Sequence, residues 1–422
     1  MLALDSASSP VRSRLLSPLR DFINDSRSTG ILLIGCTLIS LVIANSTGGA
    51  WYTGGWTAEF TSAAVARLPA TPVSWINNFL MAFFFLLAGM EIKRELSNGE
   101  LSSFKKAVLP FGAALGGMVV PALIYTLFNF HSQQAHGWGI PTATDIAFSV
   151  GIASLLGKRF PVGLKILLMA LAIIDDLGAI VVIAIFYGGH VQGWWLLAVG
   201  LIYAALLACN YLKVKFGAVQ ILLGLALWYA MLQSGVESSI TGVLFAFATP
   251  VGQLAQIEKY IHKPVNLFIL PLFALANTAI LIPANIARAL NTPVSLGIVC
   301  GLVIGKPVGI FLFSRIMVAC KIARLPSNTR WKQLFGMGTL AGIGFTMSIF
   351  TTMLAFTGQA YRDIAKISIM LSVVTSVFIS LIYFRAIGGK YAGQPFKSNA
   401  APAETESRSA SQPDLGLAVN AA

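Results

Sequence analysis

Two adjacent carboxylates, Asp175 and Asp176, stand near the middle of a stretch that carries no other charge from Ile166 to Tyr187. At about 1.5 Å per residue that stretch can cross a hydrocarbon layer of roughly 30 Å. A charge at that depth costs about 3 kcal/mol even on lenient insertion scales, so a pair of them points to a site for protons or cations. Two more ionisable groups, Asp145 and Lys306, also fall inside apolar runs. Carboxylates joined by the Thr144 hydroxyl, without His or Cys, suit a small hard cation such as Na+ or Li+ better than zinc or copper. Neighbours on a helix point about 100° apart, so one aspartate can face a cavity while the other turns to a partner such as Lys306. Close carboxylates titrate as a coupled pair, and protons then compete with the cation for the same oxygens. A structural ion pair with Lys306 would explain one aspartate and leave the other unexplained.

Holding such groups in place takes several membrane-crossing helices. The 422 residues are 56% hydrophobic and only 11% charged. The apolar residues come in blocks rather than one-face stripes, which reads as an all-α polytopic membrane protein. Charge-free runs include Leu68 to Met90, Pro264 to Ala287, Gln333 to Tyr361 and Ile367 to Phe384; counting such runs with their breaks gives about twelve spans. The pieces around 140–157 and 237–251 are short.

Two runs are interrupted. GIPTATD over 139–145 sets Pro141 among Thr142, Thr144 and Asp145, and GMGTLAGIG over 336–344 runs directly into FTMS over 345–348. By count these are spans four and eleven. That odd offset makes them cross in opposite directions, as an inverted repeat of spans three to five with ten to twelve requires. Glycines that merely allow close packing would account for one such segment; two in matching positions favour the repeat. A broken helix presents positive half-helix N-termini and negative C-termini. Asp145 is placed to compensate the first and to N-cap the adjoining helix, and Lys306 to compensate the second.

The net charge of +13 does not form a nucleic-acid patch, because the 29 Lys and Arg residues fall in alternate loops. Only Arg67, Arg288, Arg362 and Lys366 occupy the other loops, and Lys306 lies within a span. The positive-inside rule therefore puts both termini in the cytoplasm, with an even number of crossings. Residues 1–27 read as a basic cytoplasmic arm, 28–385 as the membrane domain and 386–422 as a disordered tail rich in Ala, Ser, Gly and Pro. Cys36, Cys209, Cys300 and Cys320 lack CxxC spacing and read as buried small hydrophobes. The loop 46–60, with Gly48, Gly49, Gly54 and Gly55 beside Trp51, Tyr52 and Trp56, reads as a small surface hairpin or as part of an aromatic belt. Glu91, Lys93, Arg94 and Glu95 form a charged turn at the end of span two.

The segments ATDIAF (143–148), ALAIIDDLGA (170–179), GKP (305–307) and GIGFTMS (342–348) closely resemble the NhaA family of bacterial Na+/H+ antiporters, over about residues 20–385. The resemblance implies twelve spans with two crossed, interrupted helices. It also implies electrogenic, alternating-access exchange of cytoplasmic Na+ or Li+ for more than one external proton, activated at alkaline pH, in the inner membrane. Asp176 then corresponds to the principal cation ligand and proton carrier, and Asp175 to the second, paired with Lys306 in the proton-loaded state. Thr144 and Asp145 match the helix break, Thr144 as a ligand or near-ligand. Glu91, Arg94, Glu95, Glu258 and His262 match a pH-responsive funnel, with Glu258 and His262 at a helix start; a solvated membrane-edge turn explains the first three equally well. Glu237 stands where relatives carry a histidine and Lys259 where another would sit, which bears on the pH range. Family members dimerise through an outer hairpin, here the loop 46–60. Besides a second copy and membrane lipid, no nucleic acid, organic substrate, cofactor or enzymatic activity is expected.

Three other classes fit less well. An intramembrane aspartyl protease needs aspartates brought together from separate helices, whereas these two are adjacent, and its Tyr-Asp and Gly-Asp motifs are absent. A passive cation channel would not bury Lys306 and would carry a carbonyl-lined filter repeat. A Na+-coupled organic anion symporter on a similar scaffold is the nearest rival, and it needs a larger polar or basic pocket.

Overall fold

In hydrocarbon a backbone N–H or C=O finds no water, so a chain this apolar satisfies its backbone within helices. The computed structural model describes residues 26–60, 67–189, 191–212, 214, 216–326 and 329–388, and no strand occurs among them. The arm read over 1–27 and the tail read over 386–422 lie almost wholly outside the described residues.

Six helices are long and apolar enough to cross a membrane alone: Pro72–Asn98, Phe104–Asn129, Val162–Phe186, Gly193–Tyr211, Pro293–Ala319 and Gln359–Ile387. Two more crossings involve bent pairs, Thr29–Ala44 with Gly49–Thr57 at 114° and Trp331–Ala341 with Phe345–Ala355 at 50°. The remaining four are shorter or more polar. They are Gln133–Thr142 with Ile146–Leu155, then Ala218–Ser234, then Ser238–Ala248, then the continuous run Val251–Pro264, Val265–Ile269 and Leu270–Asn277. In chain order these twelve are spans 1 to 12, and spans 4 and 11 are the broken ones. Their outward faces carry bare apolar side chains, with Val42, Leu127, Phe378 and Ile382 all more than half exposed, as a lipid-facing surface requires.

Three readings from the sequence need correction. The cysteines are not buried: Cys36, Cys209 and Cys300 are half-buried and Cys320 is exposed. Residues 49–57 form a helix rather than one arm of a hairpin: Thr53 Oγ1 donates to Gly49 O at 2.9 Å, a helical i−4 bond. The run read as Pro264 to Ala287 is helical from Val251 to Asn277 instead. Its start was hidden because Gln253, Gln256, Glu258 and Lys259 alternate with Leu254, Ile257 and Ile261 at helical spacing, which makes an amphipathic half-span. Glu258 therefore sits inside a helix, not at its start. At its end Asn277 Nδ2 donates to Phe273 O at 3.1 Å and Thr278 Oγ1 to Ala274 O at 2.7 Å, so side chains meet the last-turn carbonyls.

Span 3 packs along span 10, and span 2 along span 8. The second pair is fastened at its end. Lys93 Nζ donates to Phe247 O at 2.7 Å, and also to Ala246 O and Thr249 O, placing a cation on the negative end of span 8.

Candidate functional site

The two broken spans meet at their breaks. Asp145 N donates to Ile343 O at 2.7 Å, so the two breaks bond directly to each other. Close approach demands glycine on the far side, since a Cβ on Gly344 would lie 2.7 Å from Ala143 O. Asp145 N-caps Ile146–Leu155, accepting from Phe148 N at 3.1 Å. Its other oxygen accepts from Thr346 Oγ1 at 2.7 Å and Thr346 N at 3.2 Å, so one carboxylate serves the N-termini of both second half-helices. The opposite, negative ends are met by hydroxyls: Thr144 Oγ1 reaches Ala341 O at 2.9 Å and Ser149 Oγ reaches Leu340 O at 2.9 Å.

Lys306 reaches the crossing from span 10. Five residues of π-helix, Gly301–Gly305, immediately precede it; the extra residue in that turn rotates the next turn, and Lys306 with it. A Cβ on Gly301 would come within 2.8 Å of Pro141 Cβ, so glycine lets this turn press against the break of span 4. The Lys306 ammonium donates to Asp175 Oδ2 at 2.5 Å and to Thr144 Oγ1 at 2.7 Å, and Thr144 Oγ1 lies 2.7 Å from the same Asp175 oxygen. Thr144, Asp175 and Lys306 are all at 0% exposure, and Thr144 is the corner of the triangle that borders the cavity.

Asp176 turns the other way. It lines a cavity of about 340 Å³ together with Thr144, Asp145, Thr346 and Met347 at one end, and Glu91, Arg94, Glu258, His262 and Lys263 at the other. Asp175 and Lys306 are not on that lining. Among the described residues, Oδ1 of Asp175 and Oδ1 of Asp176 are buried and lack a hydrogen-bond partner, which leaves two carboxyl oxygens able to receive a cation or protons. The mouth holds an ion pair across spans 2 and 9. Arg94 Nη1 is 2.6 Å from each Glu258 oxygen, with Glu91 4.0 Å from the same guanidinium. His262 is exposed beside Asn266. Glu95, one turn beyond Glu91, is not on the lining.

Glu237 is elsewhere. It caps the turn Ser238–Ile240, and Ser238 Oγ donates to Asn78 Oδ1 at 3.0 Å, thirteen residues or about 20 Å along span 2 from Glu91. Burial pushes its carboxyl above the usual range, against the Ser239 N–H that favours the charged form. The structure thus gathers Asp145, Asp175, Thr144 and Lys306 at the crossing. Asp176 joins that crossing to Glu91, Arg94, Glu258 and His262 through one cavity, and Glu237 lies apart. Thr346, Ser149 and Lys93 are not site residues on the sequence reading; Thr346 lies within the GIGFTMS run and Lys93 within the charged turn of span 2, while Ser149 gives no signal.

Adjacent carboxylates at the crossing of two opposed broken helices, one open to a cavity and one bound to a lysine, define a secondary transporter of small cations. A family model described as Na+/H+ antiporter 1 matches residues 20–384. A relative named Na(+)/H(+) antiporter NhaA 1 from Clostridium beijerinckii is 45% identical, covering 89% of this chain and 97% of its own. NhaA of Flavobacterium psychrophilum is 47% identical over 84% of this chain and 92% of its own, and NhaA of Escherichia coli O1:K1 is 42% identical over 87% and 97%. The chain belongs to this antiporter family: it is a multi-pass membrane protein that exchanges Na+ for H+, and not an enzyme.

Proposed function

We propose that the chain lies in a bacterial inner membrane with both termini cytoplasmic, and exports Na+ or Li+ against entry of more than one proton per cycle. The alternation of basic and non-basic loops supports that orientation. The observation that carries the reading is the division of neighbouring carboxylates between a cavity and a lysine. Asp176 gives up its proton to the water of the cavity as the cation arriving there takes the proton's place on the carboxylate. Oδ1 of Asp175 completes the cation's shell with Thr144, and Lys306, displaced from Asp175, gives up the second proton. Two protons against one cation leave a net charge to move, so the cycle is electrogenic. No resident cofactor takes part; Na+ and Li+ are cargo, held by oxygens of the kind hard cations prefer.

The cluster Glu91, Arg94, Glu95, Glu258 and His262 sets the pH at which the mouth admits cations; four of the five line it. A second copy docks through residues 46–60, where helix 49–57 leaves Trp51 84% exposed. In everted vesicles holding a preformed pH gradient, Na+ or Li+ is expected to collapse that gradient, increasingly so as pH is raised. Asp176→Asn is expected to give no response, and undiminished exchange by that variant would sink the assignment.

A further inference from the structure

Both broken spans carry a serine as the fourth residue of their second half-helix, Ser149 in Ile146–Leu155 and Ser348 in Phe345–Ala355. A serine within a helix ordinarily bonds back to its own i−4 carbonyl. Neighbouring hydroxyls do so, with Ser154 on Val150 O, Thr351 on Met347 O and Thr352 on Ser348 O, each at 2.8 Å. Ser149 and Ser348 bond across instead. Ser149 Oγ donates to Leu340 O at 2.9 Å and Ser348 Oγ to Ile140 O at 2.8 Å, and both residues are at 0% exposure. Each hydroxyl leaves the first turn of one broken span and ends on the last turn of the other's first half, Trp331–Ala341 or Gln133–Thr142. Their own helical bonds are intact, since Ser149 N donates to Asp145 O at 2.9 Å and Ser348 N to Gly344 O at 2.7 Å, so only the hydroxyls turn across.

We propose that Ser149 and Ser348 are a matched pair of positioning residues that hold the two breaks in register for cation binding. The proposal rests on the reading of the chain as a Na+/H+ exchanger. Leu340 precedes Ala341, whose carbonyl takes the Thr144 hydroxyl at 2.9 Å, and Ile343 takes Asp145 N at 2.7 Å. A Leu340 turn that drifts therefore carries with it the frame on which Thr144 and Asp145 hang. Ile140 stands three residues before Ala143, whose carbonyl faces Gly344 on the other side of the same crossing. The two serines act on one object from opposite ends. Loss of either loosens the same ligands, and neither touches the cation.

The test uses the full chain in proteoliposomes, comparing Ser149→Ala, Ser348→Ala and the control Thr352→Val, which removes a buried back-bonded hydroxyl from the same half-helix as Ser348. Each serine variant is expected to raise the apparent KM for Na+ and for Li+ about three- to tenfold, as the loss of one buried hydrogen bond allows. Vmax should stay within about twofold while the control keeps the wild-type KM. Ser149→Cys and Ser348→Cys, which retain a weak donor, are expected to fall between and serve where an alanine variant does not fold. Serine variants with unchanged KM, or a control that shifts KM equally, would overturn the proposal while leaving exchange itself intact. A wild-type chain that does not respond to Na+ would instead overturn the exchange reading, and this inference with it.

Discussion

The site has a dry half and a wet half, and one helix supplies both. Asp175 is closed in with Lys306 at 0% exposure, while Asp176, the next residue, lines with Thr144 the cavity that runs to Arg94 and Glu258. Chemically the two side chains are identical. About 100° of helical turn separates a carboxylate that cargo can reach from one that holds a counter-charge. The pair is therefore a divided site, in which the cation enters at Asp176 and the lysine is held at Asp175.

Removing each half in turn tests that division. Taking away the wet half by Asp176→Asn should reduce the Na+ response to that of vesicles lacking the protein, and should also abolish Na+-dependent thermal stabilisation of the purified chain, because ligand binding no longer favours the native state. Taking away the dry half as a unit, with Asp175→Asn and Lys306→Met together, should leave exchange running one proton for one cation. The readout is charge movement: the wild type generates a membrane potential on Na+ addition, and the double variant should generate none. A double variant that still moves net charge would show that the second proton travels elsewhere.

Breaking the dry half without removing it should cost stability rather than transport alone. Lys306→Met strands the Asp175 carboxylate in a sealed site, and breaking a buried pair in this way costs about 3–5 kcal/mol. Thermal or denaturant unfolding in detergent should show that loss for Lys306→Met, and recovery of most of it in the Asp175→Asn and Lys306→Met double variant. Equal melting of the single and double variants would mean that the ammonium stabilises through Thr144, not Asp175.

Much of the site is legible in the amino-acid sequence. Charges in apolar runs are conspicuous because lipid makes them costly, so Asp145, Asp175, Asp176 and Lys306 identify themselves, and the polar breaks over 139–145 and 336–344 mark spans 4 and 11. Residue types and spacing alone leave direction open, and only the family resemblance pairs Asp175 with Lys306. Which aspartate faces the cavity depends on how span 5 is rotated against spans 2, 3, 4 and 11, a matter of tertiary packing. Ser149 is silent, and Ser348 is visible only as the last residue of the GIGFTMS run, because a helical hydroxyl normally bonds back to its own turn. The first half of span 9 reads as a loop because its polar face, with Glu258 and His262, lines the mouth of a wet cavity and so lacks the apolar signature of a span. Residues 49–57 mislead for the opposite reason: four glycines nearby suggest a turn where a short helix forms.

The smallest effect should come from the cavity mouth, and its smallness sharpens the contrast. Arg94 and Glu258 meet with two 2.6 Å contacts, a geometry as direct as that of Lys306 and Asp175. The Arg94 side chain is nevertheless 42% exposed, against 0% for Lys306. Water and salt screen the mouth pair, so Glu258→Gln should cost no more than about 1 kcal/mol of stability, and that cost should shrink as ionic strength rises. The same salt series should leave the Lys306→Met deficit nearly unchanged, since a pair sealed from solvent is screened far less. Melting temperatures of both variants from low to high salt decide the matter: converging deficits would mean that the dry half is wetter than its burial indicates. Diverging deficits would fix the boundary between the two halves at Asp176, where a single residue looks out along the cavity while its neighbour stays behind with the lysine.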